Sequence, residues 1–458
     1  MGIKTTIVLL AVLAALGAYY FFVERHKPSE QEMEQQARAV FQLDRSNIKS
    51  LEIAYAGDEI RCEKGESGWA MVSPVQAKSD ETVVAALLTE ISKLESDRVL
   101  STAEAGRPED FGLDDPDLRV SVTLSDPPDS HWVLVGDETP TGDAYYCFVD
   151  NRESIVLIPS PTVSIHFKKK PFDLRDKTAL QFDIDQVVGL ELSHDNVKIR
   201  GERRKGGPWK LVEPIEAKGE DTEINSVLFD LQNAKVREFL DEEPNDLAGF
   251  GLEEPAATVR LRLGAARTLA SIKFGKETDE GGTVFASRSG YSNVVKVDKR
   301  LLDKVKTDFS DLRRKRLLDF ATSDVASIDI SKGDSLFSCV RDSAGEWTAI
   351  VPENRPLKKW KMNGVASQLS FLRAFSFVDD AEPDLGRMGL AEPQLTVTVT
   401  LMDSTATRLE LGAVEEDEIY VRAEGQIAKV SDDFLQDMAG LVRDPPYVEE
   451  EEEEGVDE

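Results

Sequence analysis

The chain has 458 residues, 41% hydrophobic and 31% charged, the composition of folded domains rather than of disorder, and its length suits about three domains of ordinary size. A net charge of −31 repels nucleic-acid phosphates and anionic headgroups, so nucleic acid is excluded as an expected partner. Cys62, Cys147 and Cys339 are an odd set with no CxxC spacing, which predicts structural free thiols rather than a disulfide framework or a metal site.

The first element in chain order is an uncharged run, Thr5 to Val23. At 1.5 Å per residue such a helix spans roughly 28 Å, about the hydrocarbon thickness of a bilayer. Tyr19, Tyr20, Phe21 and Phe22 fit an interfacial aromatic belt. A cleavable signal peptide competes with this reading at Ala15-Leu-Gly-Ala18, but the apolar run continues through Val23, which favours an uncleaved transmembrane anchor over residues 1–23. Met1-Gly2 also fits a myristoylation pattern, although a spanning helix needs no lipid. Lys4 on one side and Arg25 and Lys27 on the other leave orientation weakly specified. Long domains translocate regardless of such charges, so an extracytoplasmic (periplasmic) location behind a single-pass anchor is expected. Residues 24–40 read as a polar juxtamembrane linker.

Beyond the linker, one spelling occurs three times. Trp69-Ala-Met-Val-Ser-Pro74, Trp209-Lys-Leu-Val-Glu-Pro214 and Trp347-Thr-Ala-Ile-Val-Pro352 share Trp-x4-Pro. Each is followed by a Gly-Leu-x-x-Pro turn, at Gly112, Gly251 and Gly389. The tryptophans lie 140 (209 − 69) and 138 (347 − 209) apart, the glycines 139 (251 − 112) and 138 (389 − 251). Two unrelated motifs on one spacing imply three tandem copies of one domain, over 41–180, 181–318 and 319–448, with an acidic tail at 449–458.

Within each copy the elements recur. Leu51-x-Ile53, Leu190-x-Leu192 and Ile328-x-Ile330 alternate as half-buried strands do. A second strand leads into each tryptophan, whose ring is expected to anchor the inner face of a sheet, and Pro74, Pro214 and Pro352 close that strand. Val84, Leu87, Leu88, Ile91 and Leu94 lie at helical spacing, as do Ile224, Val227, Leu228, Leu231 and Ala234, and Met362, Val365, Ala366, Leu369 and Leu372. Ser79 or Asp80, and Asp221, are the expected N-caps. Further alternating strands follow the Gly-Leu turns. The fold class is therefore α+β: a transmembrane helix, then three repeats, each an antiparallel sheet with a packed long helix and a short terminal helix.

Candidate chemistry is sparse. Asp114-Asp115 and Glu253-Glu254 are paired carboxylates, but copy three has Ala391-Glu392 and a proline follows each pair, so solvated turns are the simpler reading. His26, His131, His166 and His194 share no repeat position and no metal-binding spacing. There is no nucleophile elbow, phosphate loop or dinucleotide fingerprint. No catalytic residue, cofactor or metal is assigned. Asp173-Leu-Arg175 and Asp311-Leu-Arg313 recur where one copy ends and the next begins, and these four charges are the expected inter-domain contacts.

These motifs, in this order behind an N-terminal apolar run, resemble the bacterial domain-of-unknown-function 4340 family over Phe41 to Val448. The resemblance implies a membrane-tethered protein without established activity, often encoded beside gliding-type ABC transport genes, and it carries no catalytic residues over. The expected function is a membrane-anchored, non-enzymatic scaffold or interaction protein, an accessory of an ABC-type transport or envelope complex, with protein partners in that complex. An extracytoplasmic glycan-binding module with Trp132 or Trp360 as stacking platform is the alternative. An envelope enzyme with an unrecognised site is the second.

Overall fold

The computed structural model describes residues 21, 38–101, 107–150, 154–264, 268–379 and 382–449. Of the apolar run Thr5–Val23 only Phe21 is among them, so the anchor lies outside the described residues. Among the described residues no helix is long and apolar enough to cross a membrane. The chain divides into two compact units, residues 1–178 with 235–240, and residues 179–234 with 241–458.

In the first unit, alternating sequences give strands β1 (Ile48–Tyr55), β2 (Asp58–Gly65), β3 (Gly68–Ser73), β4 (Ala77–Lys78), β5 (Arg98–Ser101), β6 (Leu118–Leu124), β7 (Ser130–Glu138), β8 (Ala144–Val149) and β9 (Ser154–Pro159). They form one sheet in the order β4-β3-β2-β1-β6-β7-β8-β9-β5. Two meanders meet at the β1–β6 pair, and β5 crosses to the far edge to pair with β9. Leu51 and Ile53 of β1, Met71 of β3, and Val120 and Val122 of β6 face the helix Glu81–Ser92 in one core. Every residue of that helix's anticipated stripe is buried, and Leu94 just beyond it as well. Asp80 caps the helix by accepting from the amides of Thr82 and Val83. On the other face of the sheet, Leu113 of the Gly-Leu turn sits with Leu134, Phe148 and Ile155 in a second, smaller cluster.

The same plan appears twice more along the chain. The sheets between Val187 and Asp298, and between Val325 and Ser431, repeat the nine-strand order strand for strand. Their long helices are Asp221–Asn233 and Lys359–Ser370. The registers agree in detail. Leu51 opposes Cys62, Leu190 opposes Gly201 and Ile328 opposes Cys339, and one step later each partner strand carries a bulge, between Arg61 and Cys62, Arg200 and Gly201, and Ser338 and Cys339. Three nine-stranded antiparallel sheets of one design establish the tandem repeat.

Two local expectations need correction. Asp221 is not the N-cap of its helix: Glu220 holds that position, and the Asp221 carboxylate accepts the Trp209 amide at 2.8 Å. Ala234 does not continue the buried stripe of the same helix: the helix ends at Asn233, and Ala234 is its half-buried C-cap. Pro74, Pro214 and Pro352 close their strands as expected, and a short edge strand then follows each of them, Ala77–Lys78, Ala217–Lys218 and Arg355–Leu357.

Candidate functional site

The repeated motifs resolve into structural parts. Trp69, Trp209 and Trp347 are all buried, at 8%, 2% and 1% exposure, which leaves no aromatic surface at these positions for a ligand. Trp69 and Trp347 belong to the strand before their proline and Trp209 directly precedes its own, and Pro74, Pro214 and Pro352 all follow cis peptide bonds. The helix holds the tryptophan in place: Glu81 accepts the Trp69 amide at 2.8 Å, as Asp221 does for Trp209. The indole N–H of Trp209 donates to Asn225 at 3.3 Å, and that of Trp347 to the equivalent Asn363 at 3.0 Å, so a buried donor is satisfied in each case.

Gly112, Gly251 and Gly389 adopt left-handed φ values of 65°, 70° and 66°, ending a helical turn before the chain enters its next strand. The turn lies against a second glycine, Gly136, Gly275 or Gly412, in a bulged strand. This pairing places Leu113, Leu252 and Leu390 on the outer face of their sheets, all three buried.

The recurrent arginines do more than decorate the junctions. Arg175 and Arg313 are 6% and 5% exposed, unusual burial for guanidinium groups. In the first unit Arg175 stacks on Phe239, 3.6 Å from guanidinium carbon to ring centroid. In the second, Arg313 stacks on Phe377 at 3.5 Å, donates to Asp379 at 2.6 Å and to Gln426 at 3.1 Å. Phe239 and Phe377 stand 138 positions apart (377 − 239), so each arginine meets the same strand of the following repeat. The backbone joins here too: Gly219 bridges Arg313, Arg316 bridges Arg373, and Ala374 donates to the Lys315 carbonyl. Lys218 and Glu424 add an ion pair at 2.7 Å.

Asp173 and Asp311, grouped with these arginines on sequence grounds, turn back into their own segments. Asp173 accepts the Lys170 amide at 2.8 Å, and Asp311 pairs with Lys315, four residues on, at 3.3 Å. Each sits in the first turn of a four-residue helix, where a short carboxylate side chain reaches a local donor first. Sequence reasoning missed Phe239, Phe377, Asp379 and Gln426. The available signal was the 138-residue recurrence of the phenylalanines, set in short strands with no alternation of their own.

The remaining candidates are dispersed. Asp114, Asp115, Glu253 and Glu254 are exposed. His131 is bonded to Asp150 at 2.8 Å, and His194, far away in sequence, to the Thr307 carbonyl at 3.0 Å. Among the described residues no group of three or more His, Cys, Asp or Glu side chains is arranged to hold a metal ion. Burial raises all three thiols above their ordinary range, that of Cys339 to about 12. A disulfide-exchange reagent is therefore expected to leave the native protein unlabelled and to modify three thiols only after denaturation; rapid native labelling would contradict this burial.

Comparison with known proteins fits the repeat. The family model described as "Domain of unknown function (DUF4340)" matches residues 69–207, 209–384 and 347–439, and each match begins on one of the three tryptophans. No curated protein matches the chain. Among solved structures, a DNA polymerase sliding clamp from Pseudomonas aeruginosa aligns at 8% identity over 85% of this chain and 95% of its own, with a TM-score of 0.12, too slight a likeness to bear on fold or function.

Proposed function

The chain belongs to the family of domains of unknown function DUF4340, and we propose that within it this protein is a membrane-anchored, non-enzymatic scaffold, an accessory of an ABC-type transport or envelope complex. The observation that carries the reading is the buried joint at Arg313, with its stacked ring, ion pair and amide partner. A joint of this kind holds neighbouring repeats in a fixed relation, which suits presentation of several surfaces to one partner. The run Thr5–Val23 supplies the tether, with the repeats extracytoplasmic.

Solubilising membranes in mild detergent and isolating the full chain should recover it with transporter-type membrane proteins; recovery of the chain alone would count against the scaffold. Protease added to spheroplasts should degrade the repeats, and their protection would overturn the extracytoplasmic placement. A glycan-binding module is the second reading, favoured by Trp360, which is 67% exposed. It requires glycan to quench tryptophan fluorescence in the wild type and not in Trp360→Ala; on the scaffold reading neither protein responds.

A further inference from the structure

The sheet face turned away from the long helix is built from the same order of strands in every repeat and carries a different chemistry in each. In the second repeat its centre is strand Val187–His194, which presents Gly189, Glu191 and Ser193, while Leu190 and Leu192 face the core. On one side the neighbouring strand sets Lys198 beside Ser193 and Arg200 beside Glu191. On the other side Arg260 lies beside Glu191 and Arg262 beside Gly189. Small side chains between two basic rows make a trough, and a cleft of about 290 Å³ opens there, lined by Gly189, Glu191, Arg200, Glu202, Arg260 and Arg262 among others. Gly189 leaves room for the Arg262 side chain, since a Cβ on it would stand 3.1 Å from the guanidinium.

Basic side chains on this face include Lys198, Arg200, Lys210, Lys218, Arg260, Arg262 and Lys273, against Glu191, Glu202, Glu213 and Glu216, the last 2.6 Å from Lys210. The floor acid is already engaged, with Glu191 2.6 Å from Arg260 and 3.5 Å from Lys198. The matching face of the first repeat has Glu52, Glu59 and Glu63 against Arg61 and Arg119. That of the third has Ser327, Ser331, Thr396, Thr398 and Thr400 around Asp329, with Arg408 and Arg422 against Glu410 on the next strands. Among the described residues, a basic excess on this face, in a protein with net charge −31, is therefore a feature of the second repeat alone.

We propose that this trough seats an extended, acidic polypeptide segment of a partner. Successive same-side residues of an extended chain are about 6.7 Å apart. That is also the spacing of Lys198 and Arg200 along one bank and of Arg260 and Arg262 along the other. The banks are two strand spacings apart, about 9.6 Å, which admits one extended chain above the floor. Phosphate polymers fit less well, because their closely spaced charges would also meet Glu191 and Glu202. The assignment rests on the scaffold reading and names the chemistry of one of its partners.

The test uses the full chain and a fluorescein-labelled peptide of the sequence of residues 448–458, an acidic segment of the required kind, with anisotropy as readout. Saturable binding that weakens with salt is expected. Arg260→Glu with Arg262→Glu should weaken it by about tenfold or more, and the neutral pair Arg260→Gln with Arg262→Gln by less. Arg61→Glu with Arg119→Glu, on the first repeat's face, should leave it within about twofold. Equal binding by wild type and the Arg260/Arg262 variants, equal loss on both faces, or binding of polyphosphate but not of the peptide would overturn the assignment. Partner recovery from membranes with no peptide binding would sink this assignment alone; peptide binding without any membrane partner would sink the scaffold reading instead.

Discussion

Gly412→Ala is expected to destabilise the third repeat by about 3 kcal/mol, the upper range for forcing atoms into a packed site. A Cβ at Gly412 would lie 2.1 Å from the Met388 carbonyl oxygen and 3.0 Å from two carbons of Leu390. The first obstacle is backbone, and it is not free to move, since Met388 O accepts the Ala413 amide at 2.7 Å. Retreat of the turn would lift Leu390 out of its cluster with Met388, Tyr420 and Ile427. Gly275 faces the Phe250 carbonyl at 2.1 Å and Gly136 that of Phe111 at 2.2 Å, so alanine at either should behave alike. Gly364 is the control: it lies within the helix Lys359–Ser370, and a Cβ there meets nothing within 4 Å. Gly364→Ala should stabilise by about 0.5–1 kcal/mol through helix propensity and lost unfolded-state freedom. Urea unfolding of the full chain measures both, and an unshifted midpoint for Gly412→Ala would refute the close-approach account.

These glycines show what kind of information a sequence carries. Gly112 and Gly136 recur with their counterparts at one spacing, so the requirement is visible as repetition, while its cause, a carbonyl pressed against a bulged strand, is visible only in space. The helix stripes were legible because burial follows the 3.6-residue period: Ile224, Val227, Leu228 and Leu231 are buried as anticipated, and Ala234 departs from the stripe because the helix has already ended. The strand Ser376–Val378 was not legible, since three residues cannot express an alternation and its partner, Gln426–Ser431, lies some fifty positions on. The cap at Asp221 was misplaced by one residue because a carboxylate beside a helix start has two donors within reach, and tertiary structure decided for the Trp209 amide. The basic trough was hidden for a different reason. Its arginines come from strands some sixty residues apart, and each looks in sequence like an ordinary polar position of an alternating strand.

The largest effect at a junction is expected from Arg313→Ala, at about 3 kcal/mol, near the lower end for removing one member of a buried ion pair. The lower end applies because the two partners differ in exposure. The Arg313 side chain is 6% exposed, whereas Asp379 is 43% exposed and can recover water when abandoned. Part of the loss is the ring contact: a guanidinium 3.5 Å from the Phe377 centroid, shielded from solvent, contributes about 1–2 kcal/mol. Asp379→Asn should therefore cost far less, since the stack on Phe377 and the bond to Gln426 persist. Arg313→Lys should resemble alanine more than wild type, because an ammonium cannot stack flat and donate to Asp379 and Gln426 at once. High salt should barely reduce the difference, whereas it would weaken an exposed pair. Denaturant unfolding of the full chain gives the energies. Small-angle scattering shows whether the second and third repeats remain in register, because the bridges Gly219–Arg313 and Arg316–Arg373 enter and leave the same four-residue connector. An Arg313→Ala protein with the wild-type unfolding curve and scattering profile would mean that the connector backbone alone holds the joint, and the stiffness on which the scaffold reading depends would have to come from elsewhere.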